Sequence, residues 1–139
     1  MTRLMTALGL ATLVASMAPG AAGAQTAQKI TVTPSKGLTN GQTVSVAGKN
    51  YTPNETVFIL QCTPAVATGG GEAACDTSNI VTATTTAKGK IPPTPFTVVT
   101  GPVGNGLCGP TKALKKCDII AANAAGTDAA LKGIVFAVP

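Results

Sequence analysis

The sequence predicts an all-β domain, a seven-stranded antiparallel, immunoglobulin-like sandwich stapled by two disulfides. Three observations lead there. Short runs rich in Val, Ile and Thr alternate with clusters of Gly, Pro and Asn at close, fairly regular spacing. Helix signals are nearly absent. Four cysteines, Cys62, Cys75, Cys108 and Cys117, sit in a short chain that opens with an export signal.

That signal comes first. Arg3 supplies a minimal positive charge, Leu4 to Met17 is apolar, Pro19-Gly20 breaks the run, and Ala22-Gly23-Ala24 is a small-residue cleavage pattern. Residues 1–24 read as a signal peptide and 25–139 as one domain outside the cell. The apolar run is short for a bilayer span. No Cys follows the cleavage pattern, which argues against a lipid anchor.

The strands follow in order. Lys29 to Thr33 is the first, ended by Pro34. After a turn region holding Gly37, Asn40 and Gly41, Thr43 to Ala47 alternates, with Val44 and Val46 on one face. Thr56 to Cys62 is more continuously apolar, as expected of a central strand. Thr63 to Ala74 is an excursion with Gly69-Gly70-Gly71 near its middle, read as a hairpin tip. Ile80 to Thr86 is the fourth strand. Ile91 to Thr100 is the fifth, and Pro92, Pro93 and Pro95 make its first half an edge or bulged segment. Gly101 to Lys116 reads as an end loop. Asp118 to Ala122 is the sixth strand, Ala124 to Lys132 a turn-rich link, and Gly133 to Val138 the seventh.

The core must come from aliphatic side chains, because Tyr51, Phe58, Phe96 and Phe136 are the only aromatics. Covalent staples suit such a core. Four cysteines allow three pairings. The local one, Cys62–Cys75 with Cys108–Cys117, closes two short loops, each closure stabilising by roughly 3 kcal/mol in the chain-entropy model. Separations of thirteen and nine residues lack the knuckles of a zinc site.

The charge is +5 over the whole chain, and +4 once Arg3 goes with the leader, from nine Lys against five carboxylates. The Lys are scattered apart from Lys112, Lys115 and Lys116, and no Arg remains for bidentate phosphate or base readout. The chain has no His, no close carboxylate pair and no phosphate-binding or nucleophile-elbow motif. This composition describes a binding protein, not an enzyme.

Specific segments carry a resemblance. Thr31-Val32-Thr33-Pro34-Ser35-Lys36-Gly37-Leu38, Asn40-Gly41, Val44-Ser45-Val46-Ala47-Gly48, Gln61-Cys62, the Cys108 and Cys117 spacing, Asn123-Ala124-Ala125-Gly126 and Gly133-Ile134-Val135-Phe136 together resemble the neocarzinostatin family. These are the apoproteins of the enediyne chromoprotein antibiotics of actinomycetes. The resemblance implies a seven-strand sandwich with an appended β-ribbon, Cys62–Cys75 at the floor or wall of a cleft, and Cys108–Cys117 pinning a loop at its rim. It implies a monomeric, secreted antimicrobial carrier. Its partner would be an apolar small molecule of the enediyne chromophore type, held non-covalently, and DNA would be met only indirectly, through that chromophore.

On the same resemblance the cleft residues are Cys62, Pro64, Cys75, Ile80, Asp118 and Ile120. Several depart from the family pattern. Pro64 stands where the family carries Trp, and Ile80 where it carries Phe. Ile120 replaces a small Gly and would partly fill the cleft, and Asp118 replaces Gln and brings charge to the rim. Each lost ring removes on the order of 1 kcal/mol of stacking. The substitutions point to a smaller or more aliphatic ligand. Without a ligand, the alternative is an extracellular immunoglobulin-like module of the cell envelope that binds a protein or glycan.

Overall fold

The computed structural model describes residues 26–139, so the leader assigned to 1–24 lies outside the described residues. Ten strands follow one another: β1 (Lys29–Thr33), β2 (Lys36–Leu38), β3 (Thr43–Lys49), β4 (Thr56–Cys62), β5 (Val81–Thr84), β6 (Ile91–Thr97), β7 (Gly101–Val103), β8 (Gly106–Cys108), β9 (Lys116–Asn123) and β10 (Ala129–Phe136). Two short 3-10 turns, Pro64–Thr68 and Gly71–Ala74, lie between β4 and β5.

The strands form three sheets. One has three strands in the order β1-β3-β6, another five in the order β2-β10-β9-β4-β5, and β7 with β8 makes a separate ribbon. The all-β class and both local disulfides, Cys62–Cys75 and Cys108–Cys117, stand as expected. The strand count does not. All seven expected strands are present, but β2, β7 and β8 join them, and β2 runs parallel to β10. Those three have three residues each. A run that short has too few alternations to show a period of two.

Other boundaries shift for local reasons. β10 begins at Ala129, inside the expected link, because Ala129 and Ala130 pair with Ala122 and Ala121. Gly69-Gly70-Gly71 is not a hairpin tip. Gly69 is left-handed at φ 97° and closes the first 3-10 turn, and Gly70 N–H donates to Ala65 O at 2.7 Å. β6 is an edge strand with a register shift opposite Val46 and Gly48, as its prolines require.

The core lies between the two larger sheets. Ile30 and Val32 of β1, Val44 and Val46 of β3, and Ile91 and Phe96 of β6 meet Val57 and Ile59 of β4, Ile119 and Ala121 of β9, and Ile134 and Phe136 of β10. Cys108 and Cys117 belong to the same cluster, so the second disulfide supplements the core directly.

Polar side chains fasten the layers where aromatics are scarce. Gln61 is completely buried. Its Nε2 donates to Val99 O at 2.7 Å, and its Oε1 accepts from Val99 N–H at 2.8 Å. The amide thus stands in for a strand partner, tying β4 to the crossover after β6. At the opposite end Asp128 accepts from Thr52 N–H at 2.7 Å and from Gln28 Nε2 at 2.8 Å. The Tyr51 hydroxyl donates to Ala121 O at 3.0 Å, and burial, with the Asp128 charge adding to it, raises its pKa.

Gln61→Leu strands the Val99 amide and carbonyl and should lower unfolding free energy by about 2–4 kcal/mol in a urea titration. The hydrogen bond from Thr52 N–H holds the Asp128 carboxyl below its ordinary 3.8. Its stabilisation is therefore complete above the unfolded value and is lost as pH falls through the folded one. Thermal melts should show an acid limb that flattens in Asp128→Asn.

A candidate ligand-binding cleft

β4 and β9 are apolar on both faces, and that places the cleft. Val57, Ile59, Ile119 and Ala121 point into the core and are completely buried. Their neighbours Phe58, Leu60, Ile120 and Ala122 point the other way and are only partly buried. In register, Leu60 faces Ile120 and Phe58 faces Ala122. These four side chains form an apolar floor on the outer face of the five-stranded sheet.

Walls rise on two sides. The excursion between β4 and β5 contributes Val66, Gly71, Glu72, Cys75, Thr77 and Ile80. The turn from β9 to β10 contributes Asn123, Ala124, Ala125 and Gly126, with Ala129 just beyond. They enclose a cavity of about 670 Å³, within the several-hundred Å³ range of small-molecule sites.

Each wall is held from behind. Thr63 N–H donates to Ala74 O and Asp76 N–H to Gln61 O, both at 2.8 Å. The β7–β8 ribbon backs the excursion, where Asn105 N–H donates to Ala73 O at 2.8 Å. Gly104, at φ 56°, lies so close to the Ala73 and Ala74 backbone that a Cβ would collide with it. The opposite turn is set by Asn123, whose Nδ2 donates to Glu55 Oε1 at 2.9 Å and Thr127 Oγ1 at 2.8 Å.

Of the six residues assigned to the cleft from sequence, Cys75, Ile80 and Ile120 line this cavity. Cys62, bonded to Cys75, is completely buried, and Pro64 is exposed on the first 3-10 turn. Asp118 is paired with Cys62 on one side and Gly133 on the other, one step along β9 from Ile120 on the same face. Burial raises its pKa above the ordinary carboxylate value. Cys108 and Cys117 lie in the core, away from the cleft face.

Phe58, Leu60 and Ala122 are the floor residues that sequence reasoning missed. The signal was there: an antiparallel strand apolar on both faces needs cover on both. Phe58 also supplies an aromatic ring where the departures from the family pattern had suggested an aliphatic lining. A second depression of about 430 Å³, lined by Thr26, Gln28, Asn50 to Pro53 and Asp128, is more polar. The Asp128 oxygens there already accept from Thr52 and Gln28.

The sequence model described as the Neocarzinostatin family matches residues 30–136. The chain belongs to the neocarzinostatin family. Among curated relatives, actinoxanthin from Streptomyces globisporus is 38% identical over 63 residues, and macromomycin from Streptomyces macromomyceticus 39% over 62. The antitumor antibiotic C-1027 apoprotein of Streptomyces globisporus is 38% identical over 63 residues. Each of these matches takes in 45% of this chain and 41% of the relative, so the chain spans about two fifths of the length of those relatives. The solved structure of macromomycin superposes with a TM-score of 0.59 at 30% identity, covering 80% of this chain and 100% of that one. Apokedarcidin shares the fold at a TM-score of 0.52 and 21% identity, over 82% of this chain and 100% of its own.

Asp118, on β9 beside the cleft, carries a pH effect. Because the folded pKa of Asp118 is raised, its charged form opposes folding, and stability falls as pH rises through that pKa. Asp118→Asn should remove this step and leave the protein more stable than wild type at neutral pH, as read by thermal melts across the carboxylate range.

Proposed function

We propose that the protein is a secreted, monomeric carrier that holds an apolar small molecule in the cleft over β4 and β9. The observation that carries the reading is the uncovered apolar floor of Phe58, Leu60, Ile120 and Ala122, walled into a cavity of about 670 Å³. Membership of the neocarzinostatin family supports it, as does one relative named as an antitumor antibiotic apoprotein.

The side chains suit a ligand of mixed surface. Phe58 offers one ring face for stacking, and Leu60, Val66, Ile80 and Ile120 offer aliphatic contact. Ile120 takes up room above β9, which favours a ligand flatter or smaller than a large polycycle. A chromophore of the enediyne type would be held there by apolar contact with Phe58, Leu60, Val66 and Ile80. Bound there, such a group would supply the DNA-cutting chemistry; the protein's part is to hold it and exclude water. Binding, not catalysis, is the role of this chain.

Titration with the neutral naphthalene fluorophore prodan tests the reading. Saturable one-to-one binding is expected. Phe58→Ala should weaken it several-fold, by about 1 kcal/mol, with melting little changed because Phe58 faces the cleft. Absence of saturable binding to the folded protein would favour the envelope-module alternative.

A further inference from the structure

Four of the cleft's lining residues, Val66, Gly71, Glu72 and Cys75, come from the excursion that follows β4 and ends at Cys75. The Cys62–Cys75 disulfide closes its base, where the two residues also form an isolated bridge with Cα atoms 3.9 Å apart. The excursion has little packing of its own. Its first 3-10 turn buries no residue, and its second buries only Ala74. A segment with few buried apolar contacts opens at low free-energy cost. The disulfide is thus a main fastening of this wall.

The two sulfurs are not equally placed. Both half-cystines are buried, Cys62 completely and Cys75 to 5% exposure, and of the two Cys75 lines the cavity. A small thiol reaching this bond comes through the cleft. The other disulfide has both half-cystines in the core.

We propose that Cys62–Cys75 is a thiol-exchange site opened from inside the cleft, so that cargo and reductant compete for one space and reduction loosens the wall that holds the cargo. The proposal rests on the carrier reading for its cargo arm alone. The chemistry needs an external dithiol reductant. Its thiolate attacks Cys75 Sγ, the Cys62–Cys75 bond breaks, and Cys62 leaves as a thiolate that takes up a proton. The reductant's second thiol then displaces Cys75 from the mixed disulfide. One protein disulfide and one dithiol become two cysteine thiols and one cyclic disulfide. Binding and reduction are then linked equilibria, each weakening the other by the same factor.

The test treats the oxidised, folded protein with dithiothreitol, quenches with iodoacetamide and maps labelled peptides by mass spectrometry. Cys62 and Cys75 should label about tenfold or more ahead of Cys108 and Cys117, as opening of a weakly packed segment predicts. Saturating prodan should slow the first pair and leave the second unchanged. Protein reduced and capped at the first pair should keep its near-ultraviolet signal from Tyr51 yet bind prodan about tenfold or more weakly. Equal labelling of both pairs, or saturation by prodan without protection, overturns the proposal. If prodan does not bind, the carrier reading fails, and Ala122→Phe, or Ala129→Phe should the first not fold, decides the access claim alone. A ring filling the empty cleft should slow labelling of Cys62 and Cys75; an unchanged rate overturns the thiol-exchange site.

Discussion

The pairing of β4 with β9, which sets Leu60 against Ile120 and Phe58 against Ala122, is the constraint on which both core and cleft depend. Side chains alternate across a sheet, so one register assigns Val57, Ile59, Ile119 and Ala121 to the core and the intervening residues to the cleft. A slip of one residue on either strand would exchange the two sets. Ordinary amphipathic strands would resist a slip by burying polar groups. Here both sets are apolar and the penalty is weaker, so register needs other guards. Gln61 is one, because its amide meets Val99 only when β4 is correctly seated. The disulfide at Cys62, one residue further on, is a second.

The same economy of aromatic residues explains where polar groups are buried. Only Tyr51, Phe96 and Phe136 serve the core, and Phe58 faces away. Aliphatic side chains fill the middle of the sandwich, and hydrogen-bonded side chains fasten its ends. Gln61 closes one end. At the other, Asp128, Asn123 and Glu55 bind the β3–β4 connection to the β9–β10 turn, and Thr85, just past β5, fastens the same connection with Oγ1 donating to Thr52 O at 2.6 Å. Each fastening satisfies backbone groups that turns leave without sheet partners.

Much of this was legible in the chain. Alternation at Val44 and Val46, the prolines of β6 and the cysteine spacings carried the class, the edge strand and the staples. What stayed hidden was set by tertiary contact. β2 is a strand only because β10 lies beside it, and the excursion takes 3-10 turns because Gly69 and Gly70 close onto Ala65. Around the cavity, Ile80, Ile120 and Cys75 are residues that the family resemblance names. Phe58 and Leu60 were passed over because a continuous apolar run gives no sign of which face lacks cover. Glu72 came to the cleft through the fold of the excursion, which no periodicity records.

The turn Asn123-Ala124-Ala125-Gly126 has an evolutionary consequence. Ala124 and Ala125 are solvent-exposed, carry single methyl groups and border the cavity, while Asn123 and left-handed Gly126 hold the turn's shape. Larger residues at 124 or 125 would reshape the mouth without disturbing register, core or fastenings. Floor residues have no such freedom, because each is fixed by the strand pairing beneath it. Divergence in cargo among related chains should therefore accumulate first along this lip, leaving the sandwich to drift slowly behind it.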